Sequence, residues 1–156
     1  MKHLSRRDAL RTAAATMTAF LPSAVWAGPA GWNDADLIDT KTLADRLKAG
    51  DKPVLLHVGF GLLYRTKHIP GTIYAGPGNK PEGIADLRKA VGSFKKDQEI
   101  VVYCGCCPWV QCPNMKPAFE ELKKLGFKNV KALMIETNFK TDWTEKGYPV
   151  TSAPGA

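Results

Sequence analysis

Apolar residues along the chain follow two patterns. In some stretches they are continuous, and between these they recur at helical spacing. "KPVLLHVGF" (52–60), "QEIVVYC" (98–104) and "NVKALMI" (129–135) are continuous runs of strand length, as expected of strands covered on both faces. "GTIYAG" (71–76) reads as a shorter strand. "DTKTLADRLKAG" (39–50) predicts a helix with Asp39 or Thr40 as N-cap, Leu43 and Leu47 on one face, and Gly50 as its stop. "GIADLRKAVGSF" (83–94) predicts a second, carrying Ile84, Leu87 and Val91 on its apolar face. "NMKPAFEELKKLGF" (114–127) predicts a third, with Asn114 as cap, Pro117 in the first turn, Met115, Phe119 and Leu122 on its apolar face, and Gly126 as stop. "TDWTEKGYPV" (141–150) closes the pattern with a short helical turn.

Strands alternating with helices, the strands apolar throughout, predict an α/β fold: a central, mostly parallel sheet flanked by helices in three layers. Functional groups in such sheets gather beyond the carboxyl ends of the strands. Cys104 ends one predicted strand and His57 nearly ends another. The stretch "YCGCCPWVQCPN" (103–114) is then a strand-to-helix loop. It holds all four cysteines of the chain, Cys104, Cys106, Cys107 and Cys112. The helix after it turns its amino terminus, with unpaired N–H groups, toward the loop, which favours an anion such as a thiolate.

The amino terminus changes how the charge is read. Lys2, Arg6, Arg7 and Arg11 precede a mildly apolar run that ends in "AVWAG". Basic front, apolar run and small residues at Val25 and Ala27 predict an export signal over residues 1–27, cleaved after Ala27. "SRRDALR" resembles the twin-arginine export signal, which implies a periplasmic protein. The run is too short and too weakly apolar to stay in a membrane. The formal charge of the chain is +7. Residues 1–27 hold four basic residues and one acid, so the remainder keeps +4. That charge is scattered as Lys without interleaved aromatics, which argues against a nucleic-acid site. Residues 28–36, rich in Gly, Pro and Asp, read as a linker. The folded domain spans 37–150 and a tail covers 151–156.

The chain resembles a rhodanese domain. "KHIPGTIYAG" carries the family's loop signature through His68, Ile69, Pro70 and Gly71, and "IVVYC" corresponds to the strand that delivers the family's nucleophile, which falls on Cys104. "AFEELKKLGF" corresponds to the following helix, and Trp143, Gly147, Pro149 and Val150 to the closing segment. The resemblance implies a sulfurtransferase-type persulfide carrier that needs no cofactor. Cys104 would attack a small sulfane-sulfur donor as a thiolate, hold the sulfur as a persulfide and pass it to an acceptor, which includes a thiol on a partner protein. Backbone N–H groups of the loop, with Gly105 and Cys106, would cradle it. The chain departs from the family where Asp-x-Arg and a following acid usually stand; here those places hold His57, Gly59 and Leu63. Glu136 and Thr137 replace a usual Gly-Gly. The loop is long, Pro108 and Pro113 donate no N–H, and no Lys or Arg lies between Cys104 and Lys116.

Three readings of the loop stay open on sequence alone. One is persulfide chemistry on Cys104. Another is a thiol–disulfide relay through Cys104 and Cys107, which stand at C-x-x-C spacing, with Cys106–Cys112 as a second pair. The third is a soft-metal or cluster site (Cu, Zn or Fe–S) formed by Cys104, Cys106, Cys107 and Cys112. His57 is a base or ligand beside Cys104, or a buried hydrogen-bonded core residue. Trp109 covers the site as a loop anchor or contacts a partner. Arg65 is a candidate for the positive charge the loop lacks. His68 is expected to fix its turn, Glu136 to be solvated, and Met115 and Met134 to be core.

Overall fold

The computed structural model describes residues 27–28 and 31–154. The export-signal reading, residues 1–27, lies outside the described residues apart from Ala27 at its end. The continuous apolar runs form strands β4 (Val54–His57), β6 (Glu99–Tyr103) and β7 (Asn129–Met134), and the shorter run forms β5 (Ile73–Tyr74). They join a five-stranded sheet in the order β3-β7-β6-β4-β5, where β3 is Leu37–Asp39. Every pairing in it is parallel. The α/β architecture is therefore as the pattern predicts. The helices are α1 (Thr40–Lys48), α2 (Gly61–Thr66), α3 (Pro81–Ala90) and α4 (Met115–Lys124). Lys140–Thr144 forms a wide π-type turn within the predicted closing segment. A two-residue antiparallel pair, β1 (Ala27–Gly28) with β2 (Trp32–Asn33), stands apart from the sheet. Among the described residues, no helix is long and apolar enough to cross a membrane.

The sheet has a packed layer on each face, which explains the continuous apolar strands. Ile100, Val102 and Cys104 point to the face that holds Leu87 of α3 and Met115, Ala118 and Phe119 of α4. Val101 and Tyr103 point to the other, with Leu43 of α1 and Trp143. The two-residue period of a strand thus sends Cys104 toward the start of α4. Trp32, in the segment read as a linker, is buried edge-on against Trp109 and Phe119. In the segment read as a tail, Thr151 exchanges both backbone hydrogen bonds with His68.

Besides the β1–β2 pair, two short elements of the domain, β3 and α2, escape the sequence pattern. Strand β3 has only three residues and gains its pairing from β7 alone. Helix α2 occupies the "GLLYRT" segment that follows the apolar run of β4. Six residues give too few turns for a periodic signal.

Candidate functional site

Parallel pairing sets His57 opposite Tyr103, one residue before Cys104. The carboxyl ends of β4 and β6 therefore present His57 and Cys104 side by side. Gly105 follows with φ of 82°, a left-handed conformation that glycine adopts without strain. This turn folds the chain back so that Cys106 Sγ lies 3.1 Å from Cys104 Sγ. Cys106 Sγ is also 3.2 Å from Cys107 Sγ and 3.8 Å from Cys112 Sγ. Cys106 is the centre of the cluster, with a sulfur of each of the other three cysteines within 3.8 Å of its own. The relay reading paired Cys104 with Cys107; the positive φ at Gly105 makes Cys106 the neighbour of Cys104 in the structure. All four cysteines are free thiols. Cys104 and Cys112 are buried, while Cys106 and Cys107 are half-buried.

Asn114 holds the cluster rather than capping α4. It is fully buried, and its side chain makes no cap hydrogen bond. Its Nδ2 donates to Cys104 Sγ at 3.4 Å and Cys112 Sγ at 4.0 Å, and its Oδ1 accepts from Asn79 N–H at 3.2 Å. The sequence cue was an Asn directly after "CP", which reads equally well as a helix cap.

These contacts divide the acidity of the thiols. Hydrogen bonds from the Cys104 thiol, then from the Asn114 backbone and the other two thiols, lower Cys112 to about 5. The same hydrogen bond to Cys112, together with burial, pushes Cys104 far up. Burial and the Cys106 contact push Cys107 up to about 12. Among these three thiols the contacts thus favour the anionic form at Cys112.

His57 is 2% exposed. Its Nδ1 accepts from Gly59 N–H at 3.3 Å, and its ring also meets the Cys104 backbone. It ties the loop after β4 to the loop after β6. Burial, reinforced by the charge of His68, lowers its pKa from 6.5 to about 4. The neutral ring is what the fold accommodates. Below about pH 6.5 the unfolded chain takes up a proton that the folded chain refuses until about pH 4. Stability is full above that window and falls through it, by on the order of 3 kcal/mol. Urea unfolding at about pH 7 and pH 4.5 checks this: the drop should be clearly smaller in His57→Gln, and an equal drop would assign it to other groups.

Gly59 packs directly on the nucleophile. A Cβ there would lie 2.7 Å from Cys104 Sγ and 2.9 Å from His57 Cε1. The backbone of the β4 loop therefore touches the sulfur without an intervening side chain.

A cavity of about 470 Å³ opens onto Cys104, Gly105 and Cys106. Its wall includes His57 and Phe139, and Lys67 and Lys140 stand at its sides. Glu145 also lines it and pairs with Lys140 at 3.5 Å, and the two lysines are the cationic residues of the lining. Both come from distant segments, so the loop sequence carried no sign of them. Arg65 is exposed and does not line the cavity; its guanidinium lies toward Gly61 and Tyr74. Trp109 does not line it either. It is 4% exposed, and its N–H donates to Ile135 C=O at 2.8 Å, so it anchors the loop from beneath.

The remaining candidates have structural places. His68 is buried, stacks on Tyr64 at 4.1 Å and bonds Tyr64 C=O at 2.7 Å. Tyr103 hydroxyl accepts from Ile69 N–H at 3.0 Å, which fastens the "HIPG" turn to β6. Met115 is core and Glu136 is exposed. Met134 is partly buried and packs against the core.

No family model and no curated protein matches the chain. Solved structures do. A protein from Bacillus halodurans is 24% identical, with a TM-score of 0.60 over 76% of this chain and 77% of that one. The rhodanese-like domain of an Anabaena protein is 21% identical, with a TM-score of 0.56 over 78% and 86%. A thiosulfate sulfurtransferase from Pseudomonas aeruginosa is 22% identical, with a TM-score of 0.54 over 76% of this chain and 20% of its own longer one. These likenesses show the fold, which is rhodanese-like.

Proposed function

We propose that the protein handles sulfane sulfur as a persulfide on Cys104. The observation that carries this reading is the place of Cys104: at the carboxyl end of the central strand, facing the cavity, with Asn114 Nδ2 on its sulfur. Cys104, as a thiolate, attacks the outer sulfur of a donor. The donor's remainder departs with the electron pair of the broken S–S bond, as a thiolate from a persulfide, sulfite from thiosulfate or a shorter polysulfide from a polysulfide. Asn114 Nδ2 and the lysines at the cavity sides offset the charge. The acceptor is a small thiol or a thiol on a partner protein. Phe60, Leu62 and Leu63 are exposed on and beside α2, and Leu63 lines the cavity, so an apolar partner surface suits its mouth. From the Arg6–Arg7 segment we further propose a periplasmic location, which cell fractionation would test.

The test is rapid alkylation of full-length protein after mixing with inorganic polysulfide, thiosulfate or glutathione persulfide. An alkylated persulfide at Cys104 is expected at early times with at least one donor. No sulfur-bearing protein at any time with any of the three would overturn the reading.

A second reading rests on a separate observation. The sulfurs of Cys104, Cys106 and Cys112 all lie within 4.8 Å of one another. Three convergent thiolates suit a soft ion such as Cu(I), and the thiolate on Cys112 gives the first ligand. Reduced protein is then expected to take up one Cu(I) per chain, and Cys112→Ser to bind at least about tenfold more weakly. Competition against a chromogenic Cu(I) chelator measures both. Equal affinity in the variant would remove this reading.

A further inference from the structure

The persulfide reading leaves unexplained why a second thiol touches the nucleophile. Cys106 Sγ is 3.1 Å from Cys104 Sγ, which is already the separation of a near-attack pair. A sulfur added to Cys104 sits about 2 Å beyond its Sγ, and the cavity provides the room for it. The atom within reach of Cys106 is therefore the inner sulfur of the persulfide, Cys104 Sγ itself. Attack there has a different outcome from attack on the outer one. It does not pass the sulfane sulfur on. It expels it.

We propose that Cys106 is the resolving thiol of this site: its attack on Cys104 Sγ expels the bound sulfur as hydrosulfide and leaves a Cys104–Cys106 disulfide, so that the protein is a sulfane-sulfur reductase driven by a dithiol. This rests on the persulfide reading of Cys104. In the step, Cys106 gives up its proton to solvent in the cavity that it lines. A bond forms between the Cys106 and Cys104 sulfurs. The bond from Cys104 Sγ to the outer sulfur breaks, and that sulfur leaves with the electron pair as HS⁻. The sulfane sulfur is reduced by two electrons, and the two cysteine thiols are oxidised by one each. A dithiol reductant then opens the disulfide, supplying two electrons and two protons, and is itself oxidised to a disulfide. Cys106 is half-buried and lines the cavity, so that reductant has a route to it.

The geometry also selects the partner. Cys106 and Cys107 are adjacent in the chain, a spacing that fits disulfide geometry badly. Cys112 Sγ is 3.8 Å from Cys106 Sγ, farther than the 3.1 Å between Cys106 and Cys104. Cys104 with Cys106, folded back on each other by Gly105, is the pair left for oxidation.

The experiment uses reduced, full-length protein without air and one equivalent of glutathione persulfide, whose own leaving group is glutathione and not sulfide. Released hydrosulfide and intact mass after alkylation are read together. Wild type is expected to release one hydrosulfide per chain and to end lighter by two hydrogens, with two thiols blocked from alkylation. Cys106→Ser is expected to keep the extra sulfur on Cys104 and to release hydrosulfide at least about tenfold more slowly. Gln111→Ala, at an exposed loop position outside the cavity, should behave as wild type, which guards against a general effect of altering the loop. Wild type that stably retains the sulfur, or Cys106→Ser that releases hydrosulfide at the wild-type rate, would overturn the proposal. So would a loss of release in Gln111→Ala equal to that in Cys106→Ser. If neither wild type nor Cys106→Ser takes up sulfur at all, the persulfide reading itself falls and the resolving role with it.

Discussion

Cys104→Ser is expected to lower hydrosulfide formation from glutathione persulfide and a dithiol by about a thousandfold or more, to the background without protein. A serine hydroxyl does not ionise near neutral pH and is a poor nucleophile toward sulfur. The loss should not come from unfolding. Serine is close to cysteine in size, and Asn114 Nδ2, which now donates to Cys104 Sγ, can donate equally to the hydroxyl. Cys106 also lines the cavity, so the variant asks whether the neighbour can substitute. It should not, because it lacks the Asn114 contact and the backbone of Gly59 against it. Residual activity above about a tenth of wild type would place the nucleophile elsewhere in the cluster. Far-ultraviolet circular dichroism and an unchanged urea midpoint would confirm that the fold is kept.

Trp143→Ala is expected to cost about 3–5 kcal/mol and to lower Tm by about 10 °C or more. Trp143 is fully buried under the sheet face opposite Cys104. Its ring stacks on Phe139 at 6.1 Å and meets Tyr148 edge-on at 5.1 Å. Its indole N–H donates to Pro149 C=O at 2.8 Å, and truncation leaves that carbonyl without this partner. The change should reach the site as well. Phe139 walls the cavity, donates its N–H to Gly105 C=O at 3.1 Å and stacks on Tyr103. With Trp143 removed, Phe139 loses its backing, so sulfur uptake should fall even at temperatures where the variant is folded. Thermal and urea unfolding give the stability, and uptake measured well below Tm gives the site effect. A loss under about 1 kcal/mol would mean that the segment from Lys140 to Pro149 is only loosely attached to the sheet.

Much of this architecture is legible in the residues because burial imposes a local signature. Strands β4, β6 and β7 lie inside the sheet with a packed layer on each face, so nearly every position along them is apolar. Helices α1 and α4 are long enough to show one apolar face and a glycine just beyond the last turn. Position at a strand end was also readable: Cys104 follows the last apolar residue of β6. What stayed hidden was short or had two equally good readings. Three-residue β3 and six-residue α2 fall below the length at which a period can be counted. Asn114 before a helix has the features of a cap, and only the folded chain shows its amide turned to the sulfurs.

The cysteine loop divides along the same line. Its composition, its place between a buried strand and a helix, and the candidacy of Cys104 follow from order along the chain. Which sulfurs meet does not. C-x-x-C spacing favoured Cys104 with Cys107, but contact depends on one backbone angle, the positive φ at Gly105, which brings Cys106 to 3.1 Å instead. The cations of the site were equally out of reach: Lys67 and Lys140 converge on the cavity from segments on either side of the sequence. Local pattern records what each residue must be buried against. Proximity between side chains is set by turns and by crossings of the sheet, and only the tertiary structure decides it.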